Sequence, residues 1–192
     1  MKRIILASTS PRRKEIFGKI NVPFEVRESN YEEDMTLQMP AIKLAEYLSA
    51  GKARAVADKF KDAIVIAADT FIIYNDQRLG KPKTAERAKE MLEMLSGKEH
   101  DIVTGVTIID ADSGKQVSFH ETTKVFMENL SPEIIDAYIK TGEPLDKAGS
   151  YALQEIGALL IEKIEGDFFN AMGLPLKRLV KELEDFGIKV LV

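Results

Sequence analysis

The chain of 192 residues contains no cysteine and only two histidines. The absence of cysteine excludes disulfide bonds, thiolate metal ligands and a cysteine nucleophile. His100 and His120 show no metal-ligand spacing, so the sequence gives no sign of a zinc site built on histidine. Any chemistry that the chain performs must therefore rest on carboxylates, hydroxyl groups, lysines and arginines.

Strong net charge and long apolar runs are also missing. The formal net charge of −4 does not favour nucleic-acid binding, which usually needs a basic face, so any anion site must be local. No apolar run approaches the ~20 residues needed to span a bilayer. The run after Met1-Lys2-Arg3 is too short for a signal peptide. These absences predict a soluble cytoplasmic protein with neither nucleic acid nor a membrane as a partner.

What is present is a pattern of alternating helices and strands. Hydrophobic residues make up 45% of the chain, which is enough for a substantial core in one domain or two joined lobes. Strands are predicted over residues 4–7, 24–27, 63–68, 102–109, 116–127 and 159–164. Helices are predicted after Ser10, Pro40, Thr84, Ser131 and Pro175. This order predicts an α/β fold with a mixed sheet flanked by helices.

Residues 8–13 combine several features that bind anions. Ser10 is a good N-cap and Pro11 suits the first helical position. The first turn of a helix leaves N–H groups unpaired and carries partial positive charge. Arg12 and Arg13 add donors that match phosphate oxygens. The alternative interpretation is a capped surface helix with two solvated arginines.

Candidate carboxylates follow the same logic. Asp69 and Thr70 come directly after the apolar run at 63–68, where a rigid strand would position them at the edge of a sheet. The alternative is that Asp69 caps the strand or forms an Asx turn. Two or three carboxylates together with substrate phosphates suit Mg²⁺. The further candidates are Glu32, Glu33, Asp146 and Asp167.

One lysine and two loops complete the candidate features. Lys81 is held in a stiff loop by glycine and proline but lacks the spacing of a P-loop, so it is either a phosphate ligand or a solvated side chain. Residues 142–151 and 166–175 are dense in glycine, proline and charge, as functional loops often are. Their alternative role is turn formation and core anchoring, with Phe168 and Phe169 at least partly in the core.

Taken in order, these segments resemble the Maf family of nucleotide pyrophosphatases, whose fold is similar to that of inosine-triphosphate pyrophosphatases. The matching residues are 6–13, 68–70, 79–82, 95–97, 100, 104–106, 142–149 and 173–176. The resemblance implies a single domain over residues 1–192, with an elongated mixed sheet and two lobes around a cleft. It also implies hydrolysis of a nucleoside triphosphate to the monophosphate and pyrophosphate, a divalent cation (Mg²⁺ or Mn²⁺) and a plausible homodimer.

The resemblance also implies roles for individual residues, with Asp69 as the general base. Catalysis is implied for Asp69, Glu33, Lys52 and Lys81, metal binding for Glu33 and Asp69, and substrate binding for Ser8, Arg12, Arg13, Thr70 and Gln154. Arg12, Thr70 and Gln154 match the arginine, threonine and glutamine at the specificity positions of the subfamily that acts on dTTP and UTP. The chain departs from the family pattern at Glu32, Ala152 and Glu155.

Two other classes of function compete with an enzyme. The first is a nucleotide-binding regulator of cell division or septum formation without significant turnover, a process with which Maf-like proteins have been associated. Asp69, Glu33 and Lys81 favour the enzyme, because a pure binder would not need a carboxylate near repelling phosphates. The second is a nucleic-acid-binding module, which the net charge of −4 disfavours.

Overall fold

The computed structural model describes residues 2–34 and 36–190. The strands are β1 (Arg3–Leu6), β2 (Glu25–Val26), β3 (Ala63–Tyr74), β4 (Gln77–Leu79), β5 (Glu99–Asp110), β6 (Gln116–Met127) and β7 (Ile161–Glu165). The helices are α1 (Pro11–Gly18), α2 (Ala41–Ala57), α3 (Ala85–Leu95), α4 (Pro132–Lys140), α5 (Phe168–Ala171) and α6 (Leu176–Glu184). None of the helices within the described ranges has the length and apolar character needed to cross a membrane.

The strands form a mixed sheet in the order β2-β1-β3-β5-β6-β7, with β4 paired to β3. β1 pairs in parallel with β2 and β3, whereas β3–β4 and β6–β7 are antiparallel. This confirms the predicted α/β class. The chain divides into two compact units. The first contains the chain up to Thr70, Thr104–Glu121 and the chain from Met172, and the second contains Phe71–Val103 and Thr122–Ala171.

The core of the first unit lies where α2 packs on the sheet. Ile5 of β1 and Val65 of β3 are buried against Ala53 and Val56 of α2. The helix also approaches β5 at Gly105, where an added Cβ would lie 2.2 Å from the carbonyl carbon of Ala45. Only glycine permits this approach, so Gly105 sets the distance between α2 and the strand.

The sequence pattern predicts a strand that stops at Asp69 and Thr70, followed by an extended stretch over residues 71–74 and a turn at residues 75–77. In the structure the first two form one continuous strand, β3. The strand runs on to Tyr74, although its parallel neighbour β1 ends opposite Ile66. Beyond that point β3 forms a hairpin with β4, closed by Asn75 and Asp76 with φ of 48° and 61°. Two consecutive positive φ values match a turn that suits the twist of a hairpin. Asp69 therefore lies within β3, just past the end of β1.

Two predictions for the second unit need correction. The strand expected over residues 159–164 begins at Ile161, because Ile156–Leu160 winds into a 3₁₀ turn before it. Phe168, expected to be partly in the core, is 50% exposed. It opens the short helix α5, where its ring contacts that of Phe169 edge to face.

A histidine is buried in the second unit. His100 is 3% exposed, and its Nε2 lies 2.6 Å from the hydroxyl of Tyr151. Its Nδ1 has no hydrogen-bond partner in the described part of the chain. Burial lowers the pKa of His100 from 6.5 to about 4, so the ring stays neutral in the folded protein at neutral pH.

We expect this histidine to make the fold sensitive to acid. Between pH 6.5 and about 4 the unfolded chain protonates His100 while the folded chain does not, so stability falls as the pH is lowered through this window. The full effect is on the order of 3 kcal/mol. Urea unfolding between pH 7.5 and 4.5 should show a smaller loss for His100→Gln than for the native protein. Equal slopes for His100→Gln and the native protein would contradict the assignment.

Candidate active site

A lysine and two carboxylates meet in the first unit. The Nζ of Lys52, on α2, lies 2.5 Å from Oδ1 of Asp69 and 2.8 Å from Oε1 of Glu33. The side chain of Lys52 is only 13% exposed. A largely buried ammonium group needs a negative charge beside it, and the carboxylate of Asp69 in β3 supplies that charge. The side chain of Lys52 therefore turns inward.

Asp69 is the buried member of this group, with 7% of its surface exposed. Its Oδ2 is buried and has no hydrogen-bond partner within residues 2–34 and 36–190. Burial raises the pKa of Asp69, and the positive charges of Lys52 and Arg13 oppose that rise. One oxygen is thus held by a lysine, while the other is buried without a hydrogen bond in the described part of the chain.

Glu33 is brought to Lys52 by a tyrosine. An added Cβ at Gly51 would lie 2.3 Å from Cζ of Tyr31, so the tyrosine ring packs directly on α2 beside Lys52. The Tyr31 hydroxyl forms a hydrogen bond with Tyr47, one turn earlier on the helix. Neither Tyr31 nor Gly51 belongs to a motif that the sequence displays. A glycine inside a helix is unfavourable, and that was the one signal that could have indicated a close approach.

Arg13 is anchored beside Asp69. Its Nε donates to the carbonyl of Gly173 at 2.9 Å and its Nη2 donates to Oγ1 of Thr70 at 3.0 Å. Burial lowers the pKa of Arg13 and the charge of Asp69 opposes this, yet a guanidinium remains protonated in proteins. The alternative of a freely solvated arginine is therefore wrong for Arg13, whereas Arg12 is exposed.

Thr70 has a structural partner that the sequence analysis missed. Its Oγ1 lies 3.0 Å from Oγ1 of Thr104, which is fully buried in β5. The hydroxyl of Thr70 therefore links Arg13 to the sheet. Thr104 was among the residues that carried the family resemblance, but it received no role, because nothing in the linear pattern shows that β5 lies beside β3 at this point.

The turn between β1 and α1 has the predicted cap. Ser10 precedes the helix with extended backbone, Pro11 takes the first helical position, and the Ser10 hydroxyl accepts from the N–H of Arg13 at 3.4 Å. The buried Ser8 adds a second bond, since its hydroxyl accepts from the N–H of Ser10 at 3.2 Å. The two serines thus give the turn a defined shape and orient the start of the helix that carries Arg13.

The other predicted site residues lie in the second unit or on the surface. Lys81 and Gln154 are exposed residues of the second unit. The loop of Lys81 is held by the N–H of Gly149, which donates to the carbonyl of Gly80 at 3.1 Å. Glu32 is exposed in the first unit. Two of the candidate carboxylates bind partners inside the second unit, Lys147 for Asp146 and the N–H of Asn170 for Asp167.

The carboxylates fit a divalent cation that also binds substrate. Among the described residues, no group of three or more His, Cys, Asp or Glu side chains is placed to hold a metal ion. Oδ2 of Asp69 nevertheless accepts no hydrogen bond from the described residues, so its lone pairs are not engaged. Glu33 forms an ion pair with the same lysine as Asp69. Mg²⁺ typically takes one or two carboxylates, substrate phosphates and water, so this donor set suits it without a complete protein cage.

The fold and site together define an α/β protein with a lysine–dicarboxylate centre beside an anchored arginine. A family model described as Maf-like protein matches residues 3–186. The chain therefore belongs to the Maf-like protein family, which confirms the resemblance inferred from its motifs.

Named relatives and a solved structure agree with this assignment. The chain is 51% identical over 191 residues to a dTTP/UTP pyrophosphatase of Methanosarcina mazei, covering 99% of this chain and 97% of the relative. It is 48% identical over 186 residues to a dTTP/UTP pyrophosphatase of Bacillus cytotoxicus, covering 97% and 96%. A HAM1 protein from Coxiella burnetii has a similar fold, with a TM-score of 0.50 at 14% identity over 96% of this chain and 100% of the other.

Proposed function

We propose that this protein is a nucleoside triphosphate pyrophosphatase that hydrolyses dTTP and UTP to the monophosphate and pyrophosphate. The observation that carries the proposal is the buried Asp69, held by Lys52 through one oxygen and unpartnered at the other. The names of relatives about half identical over nearly the whole chain support the same reaction. The single catalytic domain over residues 1–192, cytoplasmic localisation and a homodimer belong to the same proposal.

The proposed reaction is attack of water on the α-phosphorus. Oδ2 of Asp69 orients the water and takes its proton while the new phosphorus–oxygen bond forms. The bond from the α-phosphorus to the bridging oxygen breaks, and pyrophosphate leaves with that oxygen. Lys52 keeps Asp69 ionised, and Arg13 neutralises charge that develops on the phosphate oxygens.

The remaining site residues receive roles by the same proposal. Lys81, Ser8 and Arg12 bind the substrate from exposed or turn positions, with Lys81 on the departing pyrophosphate. Gln154 offers an amide donor and a carbonyl acceptor, which match the adjacent N–H and carbonyl groups of uracil and thymine. Thr70 accepts a hydrogen bond from Arg13 and holds that arginine in place for the phosphates, and it is also one of the three specificity positions of the family resemblance.

Glu33 and Asp69 would hold the divalent cation, Mg²⁺ or Mn²⁺. When bound, such an ion supplies positive charge to the phosphate oxygens and lowers the pKa of a coordinated water. Lys52 contacts both carboxylates, so it keeps them from repelling each other before substrate and metal arrive.

Removal of divalent cations should silence the enzyme, because lysine and arginine alone leave part of the triphosphate charge uncompensated. We expect excess chelator to reduce pyrophosphate release at least about 10²-fold. Mg²⁺ or Mn²⁺ should restore it. Isothermal titration of Mn²⁺ with a non-hydrolysable UTP analogue should show weaker metal binding for Glu33→Gln than for Glu32→Gln. Full activity in excess chelator would refute the metal requirement.

The base preference tests the substrate assignment. A site that hydrogen-bonds a pyrimidine edge leaves polar atoms unpaired when a purine occupies it, so kcat/KM for dTTP and UTP should exceed that for ATP and GTP at least about tenfold. Gln154→Ala should reduce this ratio more than it reduces kcat on UTP. The measurement is pyrophosphate release across the ordinary and modified triphosphates. Tight UTP binding with no pyrophosphate release under single-turnover conditions would instead indicate a non-catalytic regulator.

A further inference from the structure

A carboxylate in the second unit joins two parts of the chain and has no part in the proposed reaction. Glu143 follows α4, and its Oε1 accepts from the hydroxyl of Tyr138 at 2.7 Å and from the N–H of Gly157 at 2.9 Å. Its Oε2 accepts from the N–H of Ile156 at 3.0 Å. Three donors on one carboxylate form a strong, directional connection, because hydrogen bonds to an ionised acceptor are stronger than neutral ones.

Tyr138 extends this connection to a second point. The buried hydroxyl that donates to Glu143 also accepts from the N–H of Ala152. Burial and the neighbouring carboxylate raise the pKa of Tyr138, so the hydroxyl keeps the proton that it donates. Tyr138 and Glu143 together therefore hold both ends of the segment 152–157, here called the 152–157 loop.

The two ends of the 152–157 loop also touch each other. A Cβ added at Gly157 would lie 2.6 Å from the Tyr138 hydroxyl and 2.8 Å from both N and O of Ala152. No side chain fits there without displacing backbone, so the glycine allows the loop to close on itself. Gln154, two residues beyond Ala152, is exposed between these fixed ends.

We propose that Tyr138 and Glu143 are positioning residues for selection of the pyrimidine base, acting by clamping the 152–157 loop so that the amide of Gln154 faces the base in one orientation. The proposal rests on the base-reading role given to Gln154 in the proposed function. An amide has donors on one side and an acceptor on the other, so it discriminates between bases only when its orientation is fixed. A loop ordered before binding also avoids the entropy cost of ordering on the substrate.

The clamp predicts a particular kinetic signature. Neither clamp residue touches the reacting phosphates in this scheme, so releasing the loop should raise KM for UTP and dTTP while leaving kcat nearly unchanged. GTP does not present the matching edge to Gln154, so its kcat/KM should not change. A residue that merely stabilises the fold would instead lower activity on both nucleotides together.

Two conservative variants test this. Tyr138→Phe removes only the hydroxyl, and Glu143→Gln keeps the shape but turns one acceptor into a donor that faces a backbone N–H. Each should lower the UTP:GTP ratio of kcat/KM about tenfold, because a released loop must be ordered when UTP binds. Tyr74→Phe and Glu162→Gln, in the same unit but outside the clamp, should keep the native ratio. Calorimetry with α,β-imido UTP and α,β-imido GTP should give the same ratios without turnover.

A double variant decides whether the clamp acts through Gln154. In a Gln154→Ala background, Tyr138→Phe should cause no further loss of base preference. A loss that persists in that background, equal losses for UTP and GTP, or an unchanged preference in Gln154→Ala itself would each overturn the clamp. Pyrophosphate release from UTP would still support the proposed function in all three cases. Conversely, a Gln154-dependent preference for imido-UTP without pyrophosphate release would support the clamp and refute the proposed function.

Discussion

Replacing Asp69 with asparagine should reduce kcat for UTP by about 10²–10⁴-fold, the loss typical of removing a general base. Asparagine keeps the volume of the side chain but cannot accept a proton or bind a cation as a carboxylate does. The buried Oδ2 of Asp69 has no hydrogen-bond partner within the described chain. We therefore expect this oxygen to be the one that accepts the proton from water. Pyrophosphate release measured with saturating substrate and metal is the test.

The fold should survive this substitution. Burial raises the pKa of Asp69, so the ionised carboxylate is held at a cost that a neutral amide does not carry. Glu33 still pairs with Lys52 in this variant, so the lysine keeps a negative partner. The melting temperature of Asp69→Asn should therefore stay within about 4 °C of the native value. Asp58→Asn, an exposed position at the end of α2, serves as the control and should keep full activity. Near-native kcat in Asp69→Asn would remove Asp69 from the mechanism.

Replacing Lys52 with methionine should lower kcat/KM by about 10²-fold and change its pH dependence. Burial raises the pKa of Asp69, and of the charges that oppose this rise, that of Lys52 has the largest effect. Without it, the pKa of Asp69 rises further, and the base is ionised only at higher pH. Activity falls as the pH drops through that pKa, so the acid limb of the kcat/KM profile should move towards higher pH.

Lys43→Met is the matched control, because Lys43 is an exposed lysine on the same helix, paired with Glu46 at 3.0 Å. It should leave both the rate and the acid limb unchanged. In the Asp69→Asn background, Lys52→Met should cost little more, since the lysine acts through the carboxylate. An acid limb that does not move in Lys52→Met would show that Lys52 serves the phosphates instead of Asp69.

The sequence could predict the parts of the fold that depend on local patterns. The N-cap at Ser10, the glycine after α3 and the buried runs of β1 and β3 follow from side-chain chemistry and hydrophobic period alone. The continuity of β3 through Asp69 was not predictable in the same way. Strand length depends on which neighbour is available for pairing, and β4 extends β3 beyond Asp69.

The candidate site shows the same division. Asp69, Glu33, Lys52 and Arg13 could be named from the family resemblance. That Lys52 turns inward, that Tyr31 packs on Gly51, and that Thr104 supports Thr70 could not be read from the sequence. Each of these contacts joins segments separated along the chain, and no local pattern records a distance of that kind.

By itself, then, the sequence determined the family, the alternation of helices and strands, and the residue types available for chemistry. Tertiary structure decided what those residues do to one another: Lys52 meets two carboxylates, one oxygen of Asp69 is left unpartnered, and Glu143 joins the two ends of the 152–157 loop. The physical reason is that pKa values, ion pairs and clamps depend on burial and on distances of a few ångströms. Only the packed chain sets those.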